Sequence, residues 1–463
     1  MQSESLCTAP EVPGHWLWGS LPEYQRGRLK FLESVRREFG TAVTYRLGTH
    51  RVFLSCEPDV LKEVLVTRHR DFGKSASTLM LKDFFGESLL TSEGVRWFED
   101  RRLMQPTFSA DQVRKFGSTM VGQSLSYAGK LSNGEHRDVL RDMQELTMSI
   151  AAETLLGVTL ADEVRSIHEP HDLIRSSFDA RVEHPVASFP WLPTRQNRRV
   201  KEATREIHGI VNAIITRRRG DRVSGGDVLS RMLQFQEQNP GQLSDERIRN
   251  QVLTFLFAGH ETTASVLGWA WYMLAVHPDV ENRLYAELDE VLGDRDPEIQ
   301  DIPNLNYTAR FVRETLRLYP SVYMMSRRSL RDCQVGGFNI RRGTTILMSQ
   351  WLMQRDARFY ERPLSFDPDR WTADFQQNLN QFGWFPFGAG PRKCIGDSFA
   401  ILETVLVIAT IASRVRFRLQ EGQAIVPYPS VTLRPSPGIR VFCEQRRADF
   451  AKSESQIPTR VQF

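Results

Sequence analysis

A cysteine bordered by glycines is the residue of this chain best placed for chemistry. Cys394 lies in the stretch FGAGPRKCIG, residues 387–396, which leads into an apolar helix predicted over about 397–412. The N–H groups and the dipole at a helix start favour a thiolate, and Arg392 and Lys393 add positive charge. A thiolate on a rigid loop could hold one axial position of an iron. The alternative is a buried structural cysteine, because free cysteines are usually inert.

A second group with chemical potential interrupts the longest predicted helix, over about 245–276. Gly259 in the middle of a helix costs about 1 kcal/mol relative to alanine, and close passage over a flat ligand would explain it. Thr262 can donate its hydroxyl to the carbonyl of Ala258 and so bend the helix locally. Glu261 beside it could relay protons. The alternative is a polar kink in a buried helix.

Three further patterns carry charged or hydrogen-bonding groups. Glu314 and Arg317 share a helix face, and Arg370, in a Pro-Asp-Arg-Trp segment, could add a partner if that pair is buried. Trp97 and Arg101 place an indole donor and a guanidinium one helical turn apart, which suits the carboxylates of a bound ligand. Each pattern is weak alone, because surface ion pairs are common and contribute little.

Composition indicates a globular protein and argues against several classes of function. The chain has 463 residues, 41% of them hydrophobic, which is enough for a large core. The net charge of +4, without a basic tract interleaved with aromatic residues, argues against nucleic-acid binding. The five cysteines form no Cys-x-x-Cys pair, so neither a disulfide framework nor a zinc site is predicted, and a reducing compartment is expected. The one long apolar stretch, 252–276, has Gly-His-Glu-Thr-Thr at its middle and fits a buried helix better than a membrane span.

Helical patterns dominate from residue 94 to residue 318, and short strands are predicted near 41–55 and 425–443. Residues 72–92 are predicted to form a long irregular loop, and such loops tend to be functional. No strand is followed by Gly-x-Gly-x-x-Gly, so a Rossmann domain is not expected. If the chemistry is redox chemistry, the nicotinamide should therefore bind another protein.

In combination these patterns resemble the cytochrome P-450 family. Residues 387–396 match the family's haem-binding signature Phe-x-x-Gly-x-Arg-x-Cys-x-Gly, and the other patterns follow in the family's order over about 10–445. The proline-rich start and the Ala-Gly-His-Glu-Thr-Thr segment are similar to those of bacterial fatty-acid hydroxylases and microsomal members. The resemblance implies a mainly α fold with small β-sheets, and haem b between the long central helix and the helix after the cysteine. The expected segments are a proline-containing lead (1–28), a single catalytic domain (29–445) and a polar tail (446–463), without a membrane anchor or fused reductase.

The resemblance also implies roles for single residues. Cys394 would be the proximal thiolate ligand of the haem iron. Thr262 and Glu261 would be the catalytic residues and would deliver protons during the activation of dioxygen. The residues expected to contact the haem or its propionates are Trp97, Arg101, Ala258, Arg327, Phe387, Arg392 and Gly396. The residues expected to form a structural network behind the haem are Glu314, Arg317 and Arg370.

The resemblance further implies a monooxygenase that hydroxylates or epoxidises an apolar small molecule, such as a fatty acid, terpenoid or steroid, with O2. The pocket would be lined by residues of the 75–90 loop, the 178–193 region and the 322–325 segment. The candidate lining residues are Leu79, Leu81, Phe84, Phe85, Phe255, Val322, Tyr323 and Met324. Electrons would come from a ferredoxin or flavodoxin with its NAD(P)H reductase, docking near Arg96, Arg102 and Lys393. We expect a cytoplasmic monomer.

Two alternatives stay open at this point. One is a peroxide-using or rearranging haem-thiolate enzyme, and the other is a non-catalytic haem-binding sensor or carrier. Peroxide-using members of the family carry an arginine on the central helix, and isomerase-type members often lack the threonine. The acid and alcohol at Glu261 and Thr262 favour oxygen-dependent monooxygenation.

Overall fold

The computed structural model describes residues 9–159, 163–183, 192, 194–220 and 225–446, so nearly all of the predicted tail and part of the 178–193 region lie outside the described residues. The helices are α1 (Leu21–Arg26), α2 (Arg28–Phe39), α3 (Pro58–Lys62), α4 (Ala76–Met80), α5 (Lys82–Phe85), α6 (Gly94–Met104), α7 (Ala110–Lys115), α8 (Gly117–Ala128), α9 (Val139–Leu156), α10 (Glu163–Glu183), α11 (Arg195–Gly220), α12 (Val228–Gln238), α13 (Asp245–Val276), α14 (Pro278–Leu292), α15 (Asn306–Leu318), α16 (Gln350–Met353), α17 (Ala373–Asn378) and α18 (Asp397–Ala412). The strands are β1 (Ala42–Leu47), β2 (His50–Ser55), β3 (Phe72–Lys74), β4 (His136–Asp138), β5 (Met325–Ser329), β6 (Cys333–Val335), β7 (Phe338–Ile340), β8 (Thr345–Met348), β9 (Val415–Leu419), β10 (Val426–Pro429), β11 (Leu433–Ser436) and β12 (Arg440–Gln445). The predicted mainly α fold with small sheets is confirmed.

The central helix α13 organises the helical part of the molecule. It begins after Ser244, whose side chain accepts from the N–H of Arg247 and caps the helix, as its sequence predicts. It ends before His277-Pro278, because the residue preceding a proline is disfavoured in the helical conformation. Its central turns are apolar on nearly all sides and are buried, with α9 packed along them. This helix therefore gives the site one rigid wall.

Within the described ranges, four small sheets lie outside the helical body. The main sheet has the strand order β1-β2-β8-β5-β3, and its predicted β1–β2 hairpin pairs Leu47 with His50 at the turn. The strands β10 and β11 form a separate hairpin that contacts α13. The N-terminal lead pairs with the main sheet, where the N–H of Val12 donates to the carbonyl of Thr44 over 2.8 Å. The main sheet thus holds the N-terminal lead, and the β10–β11 hairpin from the C-terminal part of the chain lies beside the central helix.

The segment over residues 72–92 differs from its prediction as an irregular loop, because it contains β3, α4 and α5. Ser75 caps α4 by accepting from the N–H of Thr78. These elements have three to five residues each, which is shorter than a pattern of hydrophobic periodicity can reveal. Helix α15 begins at Asn306 and ends at Leu318, the last residue of the region in which helical patterns dominate.

The cysteine loop lies where two hydrophobic cores meet. The larger core is helical, and Phe387 and Ile395 of the loop pack against it. The smaller core surrounds the main sheet, and Ala389 of the same loop packs against that one. Packing on both sides fixes the position of the loop between the helices and the sheet.

Candidate active site

The loop before α18 holds Cys394 in a closely packed turn. The N–H of Cys394 donates to the carbonyl of Phe387 over 2.9 Å, and the N–H of Lys393 donates to the carbonyl of Gly390 over 3.0 Å. Gly390 has φ +71°, and a Cβ there would lie 1.8 Å from the carbonyl oxygen of Leu65. Only glycine allows this approach, so the spacing of the motif reflects a steric requirement.

Cys394 has exposed surface although protein surrounds it, so its sulfur borders an internal space. Burial raises the pKa of the Cys394 thiol, and the hydrogen bond from Gly396 and the charges of Arg101 and Lys393 lower it by less. The helix start and nearby cations thus act in the expected direction, but burial acts against them and leaves the pKa of the thiol raised. A thiolate here requires a further positive group beside the sulfur, which suits a metal ligand.

One face of α13 borders the same space. From Asn250 to Leu274 the helix is buried, apart from Tyr272 and a cluster of three residues: Ala258, Gly259 and Thr262. The hydroxyl of Thr262 donates to the carbonyl of Ala258 over 2.7 Å, as the sequence predicts. We call this exposed cluster the α13 window.

Phe108 joins the α13 window to the cysteine loop. Its ring stacks on Phe255, one turn before Ala258, with 5.5 Å between ring centroids. The same ring lies 3.5 Å from the position that a Cβ on Gly396 would take. The window and the loop are therefore two walls of one space, and the small side chain of Ala258 leaves room for a flat group. A Cβ on Gly259 would instead lie 3.3 Å from the Cβ of Ala151 on α9, so this glycine serves the packing of α13 on α9 and not, as expected, the passage over a flat ligand.

Positive charge exceeds negative charge beside the cysteine loop. Burial and then the charge of Arg392 lower the pKa of Arg327 to about 10. Burial and the same arginine lower the pKa of Lys74 to about 7, and Glu93 is the carboxylate that opposes these shifts. Three cations beside one carboxylate suit a ligand that carries carboxylates of its own. Lys74 was not predicted, because a lysine in a three-residue strand matches no motif.

Trp97 and Arg101 lie on α6 and adjoin this cluster. The guanidinium of Arg392 lies 5.8 Å from the centroid of the Trp97 ring. Arg101 donates through Nη1 to the carbonyl of Lys393 over 2.8 Å, which ties α6 to the cysteine loop. A sulfur donor, a flat-walled space and surplus cations meet at one place, so the residues present fit a haem with its two propionates.

Glu261 points away from the α13 window toward α10 and the β10–β11 hairpin. Its carboxylate accepts from the hydroxyl of Thr432 over 3.0 Å and lies 3.4 Å from Nε2 of His171. Burial raises the pKa of Glu261, but the hydrogen bond and charge of His171, with the charges of His260 and Arg175, outweigh it and bring that pKa to about 2. The sequence identified the acid but neither of its hydrogen-bonding neighbours, because they lie 90 and 171 residues away along the chain.

Several predicted pocket residues adjoin the α13 window. The hydroxyl of Ser321 donates to the carbonyl of Thr262 over 2.5 Å, and Val322 next to it is exposed. The N–H of Leu433 donates to the carbonyl of Ser321, which brings the tip of the β10–β11 hairpin and the exposed Val431 to the same place. Val431 was not predicted, because a single valine in a turn gives no sequence signal.

The other predicted pocket residues have varied surroundings. Phe84 and Phe85 contact Phe257 on α13, with ring centroids 5.3 Å and 6.2 Å away. Tyr323 is buried, and its hydroxyl donates to the carbonyl of Pro429 over 3.4 Å. The predicted residues that are only partly buried are Leu79, Leu81, Phe85 and Met324.

The network behind the site is centred on Glu314. Its carboxylate accepts two hydrogen bonds of 2.8 Å from Arg317, one of 3.0 Å from Arg370 and one of 2.9 Å from the indole of Trp371. Glu314, Arg317 and Trp371 have no exposed surface. The structure thus brings together the three residues predicted for this network and adds the tryptophan.

The fold and the site together define a haem-thiolate protein of the cytochrome P450 class. A family model described as Cytochrome P450 matches residues 10–441, and the chain belongs to this family. It is 36% identical over 444 residues to the cyclooctat-9-en-7-ol 5-monooxygenase of Streptomyces melanosporofaciens, with 95% of each chain covered. It is 31% identical over 431 residues to the pentalenene oxygenase of Streptomyces avermitilis, with 92% of this chain and 94% of that one covered. The crystal structure of the cytochrome P450DA heme domain matches with a TM-score of 0.86 and 26% identity, covering 96% of this chain and 98% of that chain.

These similarities confirm the cytochrome P450 fold, haem b as the cofactor and monooxygenation of an apolar small molecule. The chain therefore uses O2, an organic substrate and a redox partner. Across the described ranges, no helix combines the length and the apolarity needed to cross a membrane. The roles of single residues stay predictions and are taken up next.

Proposed function

We propose that this chain hydroxylates or epoxidises a cyclic terpenoid, with Cys394 as the axial ligand of its haem and Thr262 and Glu261 as its proton-delivering residues. The two relatives from Streptomyces support the substrate class, because one is named as a monooxygenase of cyclooctat-9-en-7-ol and the other as an oxygenase of pentalenene. The exposed valines at 322 and 431 beside the α13 window support an apolar pocket. Bound haem supplies a thiolate-ligated iron at which O2 is activated.

The hydrogen bond from Thr262 to the carbonyl of Ala258 is the observation that carries this proposal. It fixes the hydroxyl on the one partly exposed stretch in the buried middle of α13, while the hydroxyl oxygen keeps lone pairs that can accept a further hydrogen bond. Glu261, the residue before Thr262, is ionised at neutral pH, so it would carry a proton only transiently during a relay. This chain would therefore contribute the Thr262 hydroxyl inside the site and the Glu261 carboxylate on the side of α13 away from it.

The cation cluster would hold the cofactor by its carboxylates. Arg327, Arg392 and Lys74 share a single nearby carboxylate, Glu93, and their other acceptors are neutral backbone carbonyls. Trp97 offers an indole donor beside them. Phe387 and Gly396 would border the ring near the sulfur. Ala258 would lie above the ring, because a larger side chain there would occupy the space between the two walls.

Replacing Thr262 by alanine tests the proton-delivery role. We expect the product formed per NADPH consumed to fall by about 10- to 100-fold, because one positioned proton donor contributes about that much or more. The Thr262→Ser variant keeps the hydroxyl and should retain most of the coupling. Measurement uses the holoenzyme with a surrogate ferredoxin and its reductase. Equal coupling in wild type and Thr262→Ala would remove Thr262 from the mechanism.

Two further measurements separate this proposal from its alternatives. Turnover with hydrogen peroxide and none with NADPH and O2 would favour the peroxide-using enzyme. A reduced carbon monoxide complex with its Soret band well to the red reports thiolate ligation, and Cys394→Ala should abolish that band. We also propose a monomer in the cytoplasm that receives electrons from a ferredoxin or flavodoxin.

A further inference from the structure

Glu403, on α18, is a carboxyl group in the interior of the protein without a cation beside it. Its side chain has no exposed surface, and among the described residues neither of its carboxyl oxygens has a hydrogen-bond partner. Burial raises the pKa of Glu403 well above its ordinary value, and the nearby hydroxyl of Thr263 on α13 lowers it by less. Within the described ranges, no charged side chain contributes to this shift. Because an unpaired ion is costly in such surroundings, Glu403 carries its proton at neutral pH.

The neighbours of Glu403 on two helices place it at one end of the space between the cysteine loop and the α13 window. On α18, Glu403 is three residues after Ala400 and seven after Gly396, so the three positions share one face of the helix. Gly396 belongs to the wall that the cysteine loop forms, and Ala400 is only partly buried. On α13, Glu403 meets Thr263, the residue after Thr262. The acid therefore lies where the two walls of the site come together.

Thr262 is thus flanked by two buried carboxyl groups in opposite states of charge. Successive residues of an α-helix project about 100° apart, so Glu261 and Thr263 lie to either side of Thr262. Glu261 is ionised at neutral pH, as described above, whereas Glu403 beside Thr263 is neutral. Surroundings that move the pKa values of two acids apart distinguish the acid that gives a proton from the one that accepts it. At rest, Glu403 has a proton to give and Glu261 has none.

We propose that Glu403 is the proton-donating acid of this site, and that the Thr263 hydroxyl and a bridging water pass its proton toward Thr262. The inference rests on the proposed proton delivery through Thr262 and adds the source of a proton to it. Insertion of one oxygen atom of O2 into a substrate consumes two electrons and two protons and releases the other oxygen atom as water. The redox partner supplies the electrons, and Glu403 supplies one of the protons. The carboxylate left behind is unpaired, so it takes up a proton from water before the next turnover.

Infrared difference spectra of the holoenzyme test the inference without turnover. At neutral pH, the carbonyl band of a protonated carboxyl group should be present in wild type and absent from Glu403→Gln. Binding of carbon monoxide to the reduced wild-type holoenzyme should shift this band, because carbon monoxide enters the space that the acid borders. The control is Thr410→Val, which removes another buried hydroxyl from α18 and should keep both the band and its shift. Absence of the band, or a band that carbon monoxide leaves in place, overturns the inference.

The product formed per NADPH consumed separates a proton donor from a neutral structural group. Glu403→Gln stays neutral but has no proton to release, so we expect this yield to fall about 10-fold, as for the loss of a positioned acid with a second route left open. Glu403→Asp keeps an acid and should recover part of the yield. An equal yield in wild type and Glu403→Gln overturns the inference, because an uncharged structural partner would then suffice.

The Thr262→Ala background distinguishes failure of this inference from failure of the proposed function. If both residues act on one path, adding Glu403→Gln to Thr262→Ala should cause no further loss of yield. Losses that multiply in the double variant contradict a path from Glu403 through Thr262. A loss in Glu403→Gln with none in Thr262→Ala supports the acid at position 403 and contradicts the proposed role of Thr262.

Discussion

Glu261 is held as a carboxylate by side chains from two other elements. Thr432 on the hairpin loop and His171 on α10 both contact it, and the His171 ring stacks on Phe257 with 4.6 Å between centroids. A carboxyl group held in this way stays ionised near neutral pH, and it faces away from the α13 window. A proton passing from Glu261 to Thr262 must therefore travel around the helix, through a water or a side-chain rotation.

The low pKa of Glu261 predicts a loss of stability in acid. Because the folded pKa is about 2 and the ordinary value is 4.5, its contribution is present above about pH 4.5 and is lost as the pH falls toward 2. The full difference corresponds to about 3 kcal/mol in the free energy of unfolding. Urea unfolding between pH 5 and pH 3 should show a steeper loss for wild type than for Glu261→Gln. The control is Glu290→Gln, at an exposed position of α14, which should lose stability with falling pH as wild type does. An equal dependence of the free energy of unfolding on pH in all three proteins would contradict the prediction.

The sequence predicts residues that belong to fixed motifs, but it does not predict the residues from distant parts of the chain that contact them. Cys394, Thr262 and the Glu314 network could be predicted because local spacing encodes them. Lys74, Val431 and His171 could not, since their surroundings arise from contacts between distant segments. The sequence displays groups that lower the pKa of the Cys394 thiol, but it does not display the burial that raises it.

At the scale of elements, the cysteine loop depends on a glycine that touches another element. Gly390→Ala would place a Cβ against the carbonyl oxygen of Leu65, in addition to the strain of an alanine at φ +71°. We expect the loop to shift and the haem content per chain to fall several-fold, although positive φ alone costs only about 1–2 kcal/mol. Gly422→Ala is the matched control, because Gly422 has φ +76° with nothing near its Cβ position. Equal haem content in the two variants would show that the contact with Leu65 is unimportant.

The Glu314 network predicts a large effect on stability. Glu314→Gln leaves two buried guanidinium groups without their carboxylate, and breaking a buried ion pair in this way costs about 3–5 kcal/mol in the free energy of unfolding. The matched control is Asp369→Asn, which breaks the exposed pair with Arg283 in the same segment and should cost about 0–1 kcal/mol. Denaturant curves of both variants make the comparison. Similar losses would contradict a structural role for Glu314.

Long elements were more predictable than short ones for a physical reason. Both α13 and α18 are long apolar segments with a recognisable start, and their predicted bounds agree with the structure. The short helices α4 and α5 are held by packing and capping contacts rather than by periodicity, so no window of sequence reveals them. Since this segment also borders the site, the least predictable elements lie where the substrate is expected.

At the scale of the whole molecule, the position of the site follows from its two cores. The helical core supplies the α13 window and the start of α18, and the sheet core supplies Arg327 on β5. Helix α6 closes the side near the cysteine loop through Arg101. We therefore propose the outer surface of α6 as the side on which the redox partner docks.

The surface of α6 predicts salt-dependent docking of the redox partner. Val95 and Phe98 are 75% and 59% exposed, and Arg102 lies one turn further along the same face. Arg96 and Lys393 have acidic partners in Glu87 and Asp397. Among the described residues Arg102 has no ion-pair partner, so its charge is the one available to an acidic ferredoxin or flavodoxin.

Reversing the charge at Arg102 should therefore slow electron transfer. For Arg102→Glu we expect the second-order rate of reduction by ferredoxin to fall about 10-fold at low salt, because steering by one rim charge acts on association. The difference from wild type should vanish near 1 M salt, where the Debye length falls to about 3 Å. Arg341→Glu, at an exposed turn after β7, controls for net charge and should keep the wild-type rate. The measurement is stopped-flow reduction of the holoenzyme across this salt range. If both variants slow equally, overall charge rather than the α6 surface governs docking. A loss of rate confined to Arg102→Glu supports docking of the partner beside the cysteine loop.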